Sequence, residues 1–212
     1  VGRNSLRFFS SVNVAPEDRT EQRSVHNIIE SIVIACERMA ASYTGALILI
    51  ERETKLGELI QGTAVILDSA LTSTSLEQIF YKGSPLHDGA VIIRGDRIYA
   101  ARCHVPLSDN YHLRRDYGTR HRAAVGASEI GDTLSVVCSE ERGAISVALG
   151  GRLYPIKDGD ALCSVLHRAL QPTETDTRKR KSRGLREALR QQQSVVDGEV
   201  IPKTSKEAKK TR

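Results

Sequence analysis

Ile28, Ile29, Ile32, Val33, Cys36, Met39 and Ala40 recur at three- and four-residue spacing, which predicts an amphipathic helix from about Ser24 to Ser42. The residues before it, 1–24, are polar and irregular, carry Pro16 and the charged Glu17-Asp18-Arg19, and read as a mobile lead-in. Beyond the helix the period changes. Ala46 to Ile50 is a short apolar run that ends in charge; it suits a buried strand, although periodicity alone also fits a helical segment. Ser75 to Lys82 reads as a short helix with Leu76, Ile79 and Phe80 on one side, stopped by Gly83-Ser84-Pro85. Ala90 to Ile93 is the next predicted strand, Arg94-Gly95-Asp96 a tight turn, and Ile98 to Val105 the hairpin partner. A polar loop from Pro106 to Gly118 leads into a helix from about Arg120 to Ile130. Leu134 to Ser139 and Ala144 to Leu149 follow as strands joined by a turn at Glu140 to Gly143, and Asp158 to Leu170 closes the pattern as a helix. Strands in the middle with helices around them predict an α/β (α+β) fold: a mixed central β-sheet flanked by helices, in a single globular domain over residues 25–171.

Length and charge agree with one domain. The chain has 212 residues, of which 40% are hydrophobic, enough for one ordinary core and too few for a second enzyme domain. The net charge of +5 is uneven, because residues 173–212 hold 12 of the 31 Lys and Arg but 6 of the 26 Asp and Glu, leaving 19 cations against 20 anions elsewhere. The domain is therefore not a broadly electropositive nucleic-acid surface. The basic segment 172–212, with Arg178-Lys179-Arg180-Lys181, a glutamine run and few apolar residues, is expected to be disordered, apart from a transient helix around Leu185 to Gln193. Cys36, Cys103, Cys138 and Cys163 form no Cys-x-x-Cys pair and read as reduced thiols among apolar neighbours. No stretch approaches the roughly 18–20 apolar residues of a membrane span. The chain as given is expected to be cytoplasmic, with membrane association left to an anchor preceding Val1 or to the basic tail drawn by anionic lipids.

Two motifs carry the chemistry. Ser84-Pro85-Leu86-His87-Asp88-Gly89-Ala90 puts a histidine and an acid at a strand entrance. Gly118-Thr119-Arg120-His121-Arg122-Ala123-Ala124 puts two arginines and a histidine at a helix start, with Thr119 placed as the N-cap. Free amides, the helix dipole and two guanidinium groups would converge there on one anion, while oxygen and imidazole ligands suit a cation beside it.

Together with Gly45 to Glu53 and Ser139 to Ser146, these motifs resemble the diadenylate cyclase domain, over about Gly45 to Tyr154. Within that family the chain is most similar to the branch whose domain follows a membrane anchor. The resemblance implies that two ATP molecules are joined into cyclic di-AMP with release of two pyrophosphates, by a homodimer that needs a divalent metal. Ring closure itself favours two chains, because two antiparallel nucleotides are related by a twofold axis and one pocket supplies half of that arrangement.

By resemblance Asp88 is essential, as a metal ligand or as the acceptor of the attacking hydroxyl's proton, and Gly89 and Ala90 let backbone approach the nucleotide. His87 is a metal ligand, with Mn²⁺ or Co²⁺ suiting imidazole better than Mg²⁺. Thr119, Arg120, Arg122 and Ser139 bind phosphate, His121 shapes the same pocket, and Glu140 lies near the metal or the dimer contact. His104 and the main chain of Val105 read adenine. The sequence departs from the branch at His104, where members often carry Tyr, and in the loop Asn110 to Tyr117 with its Arg114-Arg115 pair. Two other classes are a catalytically silent adenine-nucleotide sensor of the same fold and a nucleic-acid module using the tail, for which no specific nucleic acid is expected.

Overall fold

The computed structural model describes residues 16–59, 62–110, 117–170 and 185–190. Its elements run α1 (Pro16–Ala41), β1 (Ala46–Ile50), β2 (Val65–Ala70), α2 (Ser73–Phe80), β3 (Ala90–Arg94), β4 (Arg97–Cys103), α3 (Thr119–Glu129), β5 (Leu134–Cys138), β6 (Ile145–Leu149), β7 (Arg152–Ile156) and α4 (Gly159–Leu170). The strands form one sheet of order β2-β4-β3-β1-β5-β6-β7, in which β1 and β3 are parallel and the remaining pairs antiparallel. This is the expected mixed sheet flanked by helices.

Strand alternation sorts the core into two layers. Ala46, Ile48 and Ile50 of β1, with Val91 and Ile93 of β3, pack on the side of α1, α2 and α4. Leu47, Leu49, Ala90 and Ile92 face the other side, where α3 lies. Both faces of these central strands are fully buried, so they read as continuous apolar runs. Ala123, Ala124 and Ala127 let α3 sit close to the sheet, and Gly126 is a closer approach still, since a Cβ there would collide with the Pro106 carbonyl oxygen.

Several boundaries differ from the sequence reading. Helix α1 begins at Pro16 rather than near Ser24; the fixed φ of proline suits a first helical turn. The lead-in is shorter accordingly, and residues 1–15 lie outside the described ones. Strands β2 and β7 are additions. Residues 185–190 are helical, within the span where a transient helix was expected, but docked: Leu185 and Leu189 are 1% and 0% exposed in the layer of α1 and α4. Their i, i+4 spacing gives even this basic segment one apolar stripe to bury. The rest of the tail and the Arg114-Arg115 pair lie outside the described residues. The four cysteines are free, with Cys36, Cys103 and Cys138 buried; burial pushes the Cys103 thiol up to about 11. No helix among the described residues is long and apolar enough to cross a membrane.

Candidate active site

Strand register brings the candidate residues to one end of the sheet. Ala46 pairs with Cys138, Ala90 pairs with Cys103, and the parallel pairing of Ile48 with Val91 sets Ala46 level with Gly89. The entrances of β1 and β3 and the exits of β4 and β5 therefore lie side by side. They present Gly45, His87-Asp88-Gly89, His104-Val105 and Ser139-Glu140 along one edge.

Helix α3 completes that edge. A shallow open cleft runs between Gly118–His121 at its start and Cys138–Glu141 at the end of β5. Gly118, not Thr119, is the N-cap, and no side chain caps this terminus. Thr119 is thus the first helical residue, exposed at the cleft, with Arg120 half-buried beside it. Arg120 donates from Nη1 to Glu140 Oε2 at 3.0 Å. Gly45 lies against this ion pair, and a Cβ there would meet the Arg120 guanidinium and come within 2.8 Å of Glu140 Oε2. Ser139 is 5% exposed; its hydroxyl accepts from the Arg142 N–H at 3.3 Å, which leaves its own hydrogen to donate.

The two arginines do not converge. Residues two apart on a helix are about 200° apart around its axis, so Arg120 and Arg122 leave on different faces. Arg122 donates to the Ser108 carbonyl at 3.1 Å and accepts from the Ser108 N–H at 3.1 Å. Ser108, itself buried, donates to Glu129 Oε1 at 2.7 Å and accepts from the Asn110 N–H at 3.2 Å. Arg122 thereby ties the segment after β4, which carries His104 and Val105, to α3. His121 is buried at 5% exposure and stacks on Tyr117 with ring centroids 4.8 Å apart, while the Arg142 guanidinium lies 4.8 Å from the other ring's centroid, that of Tyr117.

At the entrance of β3, His87 Nδ1 lies 2.6 Å from the Ser84 carbonyl oxygen. A carbonyl only accepts, so Nδ1 carries hydrogen and, in the neutral ring, Nε2 presents its lone pair. Asp88 is exposed and makes no hydrogen bond or ion pair with the described residues. Gly89 has φ +118°, and a Cβ on it would stand 2.9 Å from the Cys103 carbonyl oxygen. Only glycine fits where β4 crosses so close. The pairing of β3 with β4 is irregular just beyond, between Ala90 and Ile92. His104 is exposed, and Val105 packs partly buried against the α3-side layer.

The residues that could contribute to holding a divalent cation here are His87 and Asp88. His87 offers one oriented nitrogen and Asp88 one free carboxylate, whereas Glu140 is engaged with Arg120. Among the described residues no group of three or more His, Cys, Asp or Glu could hold a metal, so phosphate oxygens and water would supply the remaining ligands.

Sequence reasoning missed Gly45, Ser108, Tyr117 and Arg142. Gly45 had a local signal, a glycine just before a buried strand; the other three gain their partners only through the tertiary fold.

The family profile described as DAC, DisA bacterial checkpoint controller nucleotide-binding, matches residues 33–153. The cyclic di-AMP synthase CdaA of Bacillus subtilis is 40% identical over 171 residues, covering 81% of this chain and 60% of that relative. The chain thus spans about three fifths of that relative's length. The crystal structure of a double mutant of DacA from Staphylococcus aureus superposes with a TM-score of 0.67 at 38% identity, covering 73% of this chain and 99% of that one. A hypothetical membrane spanning protein from Bacillus cereus gives a TM-score of 0.57 at 42% identity, covering 60% of this chain and 62% of that one.

Proposed function

We propose, from the premise that this chain belongs to the DAC family of nucleotide-binding domains, that it is a diadenylate cyclase: two ATP give cyclic di-AMP and two pyrophosphates between two chains face to face. The observation that carries the reading is the placement of Arg120, Ser139 and Glu140 at a cleft on the same sheet end as His87-Asp88-Gly89.

Each residue has a task that its surroundings suit. Arg120 exchanges the Glu140 carboxylate for the triphosphate, a replacement of one anion by a more highly charged one. The Ser139 hydroxyl donates to a phosphate oxygen, and the uncapped start of α3 at Gly118 and Thr119 offers amides to the same group. Arg122 acts from behind, holding the segment of His104 and Val105 whose main chain reads adenine. His121 fixes the helix start through Tyr117. Gly89 brings the nucleotide to the backbone, and Asp88 accepts the proton of the ribose 3′-hydroxyl as that oxygen attacks the α-phosphorus of the other ATP, in line with departing pyrophosphate. A divalent cation held by His87, Asp88 and phosphate oxygens supplies charge neutralisation when bound. One chain aligns one nucleotide, and the twofold-related chain aligns the other.

The likeness to a protein described as membrane spanning supports a membrane-tethered form. The test is chromatography of products from ATP and Mn²⁺. Cyclic di-AMP with two equivalents of pyrophosphate is the expected result. Bound but unconverted ATP would overturn the cyclase reading and favour the silent sensor.

A further inference from the structure

Among the described residues three that are not glycine have positive φ: Tyr43, Asp68 and Arg102. For an L-residue this conformation costs energy, and it persists where something compensates. Tyr43 closes α1, its N–H bonded to the Ala40 carbonyl at 3.1 Å. Asp68 sits in the irregular stretch of β2 and takes the Arg97 guanidinium at 2.5 Å. Arg102, at φ +56°, lies in the irregular pairing of β3 with β4, and its exposed side chain makes no hydrogen bond or ion pair with the described residues, not even with Asp88.

Its position is at the candidate site. Arg102 precedes Cys103, which pairs with Ala90, and its Cα lies 3.2 Å from where a Cβ on Gly89 would stand. The three other arginines placed at the site are already engaged in the ligand-free chain, Arg120 with Glu140, Arg122 with the Ser108 carbonyl and Arg142 over the Tyr117 ring. Arg102 has an exposed side chain with no hydrogen bond or ion pair among the described residues, and its backbone lies beside the glycine proposed to admit the nucleotide.

We propose that Arg102 is a substrate-positioning residue that binds a phosphate group of ATP at the Asp88–Gly89 edge, so that bound nucleotide compensates a conformation the empty fold disfavours. This rests on the cyclase reading above for the identity of the ligand. It assigns Arg102 a role outside the two motifs, on the bulge that faces them.

The test compares wild type, Arg102→Gly and Arg102→Lys by thermal melting without nucleotide, calorimetric titration with ATP and with adenosine, and ATP turnover. Glycine accepts positive φ, so Arg102→Gly is expected to melt no lower than wild type. It is expected to bind ATP about 10- to 100-fold more weakly, the range for a lost charged hydrogen bond, while adenosine affinity stays the same. Arg102→Lys recovers part of the loss. ATP affinity unchanged in Arg102→Gly, or ATP and adenosine affinity falling together, overturns the proposal. Wild type that binds ATP and forms no product refutes the cyclase reading instead, and the ATP-against-adenosine contrast still decides the role of Arg102.

Discussion

Asp88 and Gly89 differ in what their neighbours ask of them. The carboxylate is exposed and unpartnered among the described residues, as an acid kept available for a substrate should be, whereas Gly89 is fixed by its φ and by the β4 backbone against it. Asp88→Asn is therefore expected to fold and to bind ATP within a few-fold of wild type, while turnover falls by about 10²–10⁴, the usual worth of a positioned acid–base group. Parallel ATP titration and product assays check this, and normal product formation would contradict the assigned role. Gly89→Ala acts differently: the strained φ and the contact with Cys103 make it destabilising by about 1–3 kcal/mol, read from urea unfolding. At this scale the sequence was most legible where a motif is local. His87-Asp88-Gly89 sits on consecutive residues and appears where expected. Arg120 and Arg122 were expected to share one anion, but helical geometry separates them, and the partners that divide them, Glu140 and Ser108, are distant in sequence.

Elements were legible where burial imposes a clean period. Strands β1, β3, β5 and β6 are continuous apolar stretches and appear close to their expected bounds, as does the C-terminal end of α1. The missed strands lie at the two sheet edges. In β2 the pairing slips between Ile66 and Ser69 and the side chains are largely exposed, so no alternation is visible. In β7 Pro155 interrupts the pattern, which an edge strand tolerates. A helix was legible around 185–193, but not its docking, since two leucines in a basic segment carry it. Leu189→Ala is expected to cost about 2–5 kcal/mol by urea unfolding, as for other fully buried leucines. Stability unaffected by the substitution would mean that the segment does not belong to the core.

Across the whole molecule the two ends of the sheet are electrostatic opposites. At the end away from the candidate site, Glu51 takes both Arg94 nitrogens at 2.8 and 3.0 Å, Lys55 at 3.0 Å and the Leu56 N–H at 3.0 Å. Burial by itself would raise the Glu51 carboxyl, but these bonds together hold it below its ordinary range. Asp132 is likewise raised by burial yet held low on balance by Thr54, Glu53 and Arg52. A carboxylate whose folded value is depressed adds stability that is complete above the unfolded value and disappears as pH falls through the folded one. With ordinary values of 4.5 and 3.8, both contributions are present at neutral pH and decline in acid below that range. Unfolding followed against pH should show this decline in wild type and a smaller one in Glu51→Gln, which is less stable at neutral pH. At the other end, Arg120 is paired with the more exposed Glu140, and Asp88 and Arg102 have no ion-pair partner among the described residues.

The proposed function makes the candidate-site end half of a reaction site, and its completion by a second chain is the central claim. The direct measurement is cyclic di-AMP formed per chain from ATP and Mn²⁺ over a wide range of protein concentration, with the oligomeric state followed in the same samples. Specific activity should rise with concentration in step with the dimer fraction and vanish in the monomer. Full activity in demonstrably monomeric protein would contradict it.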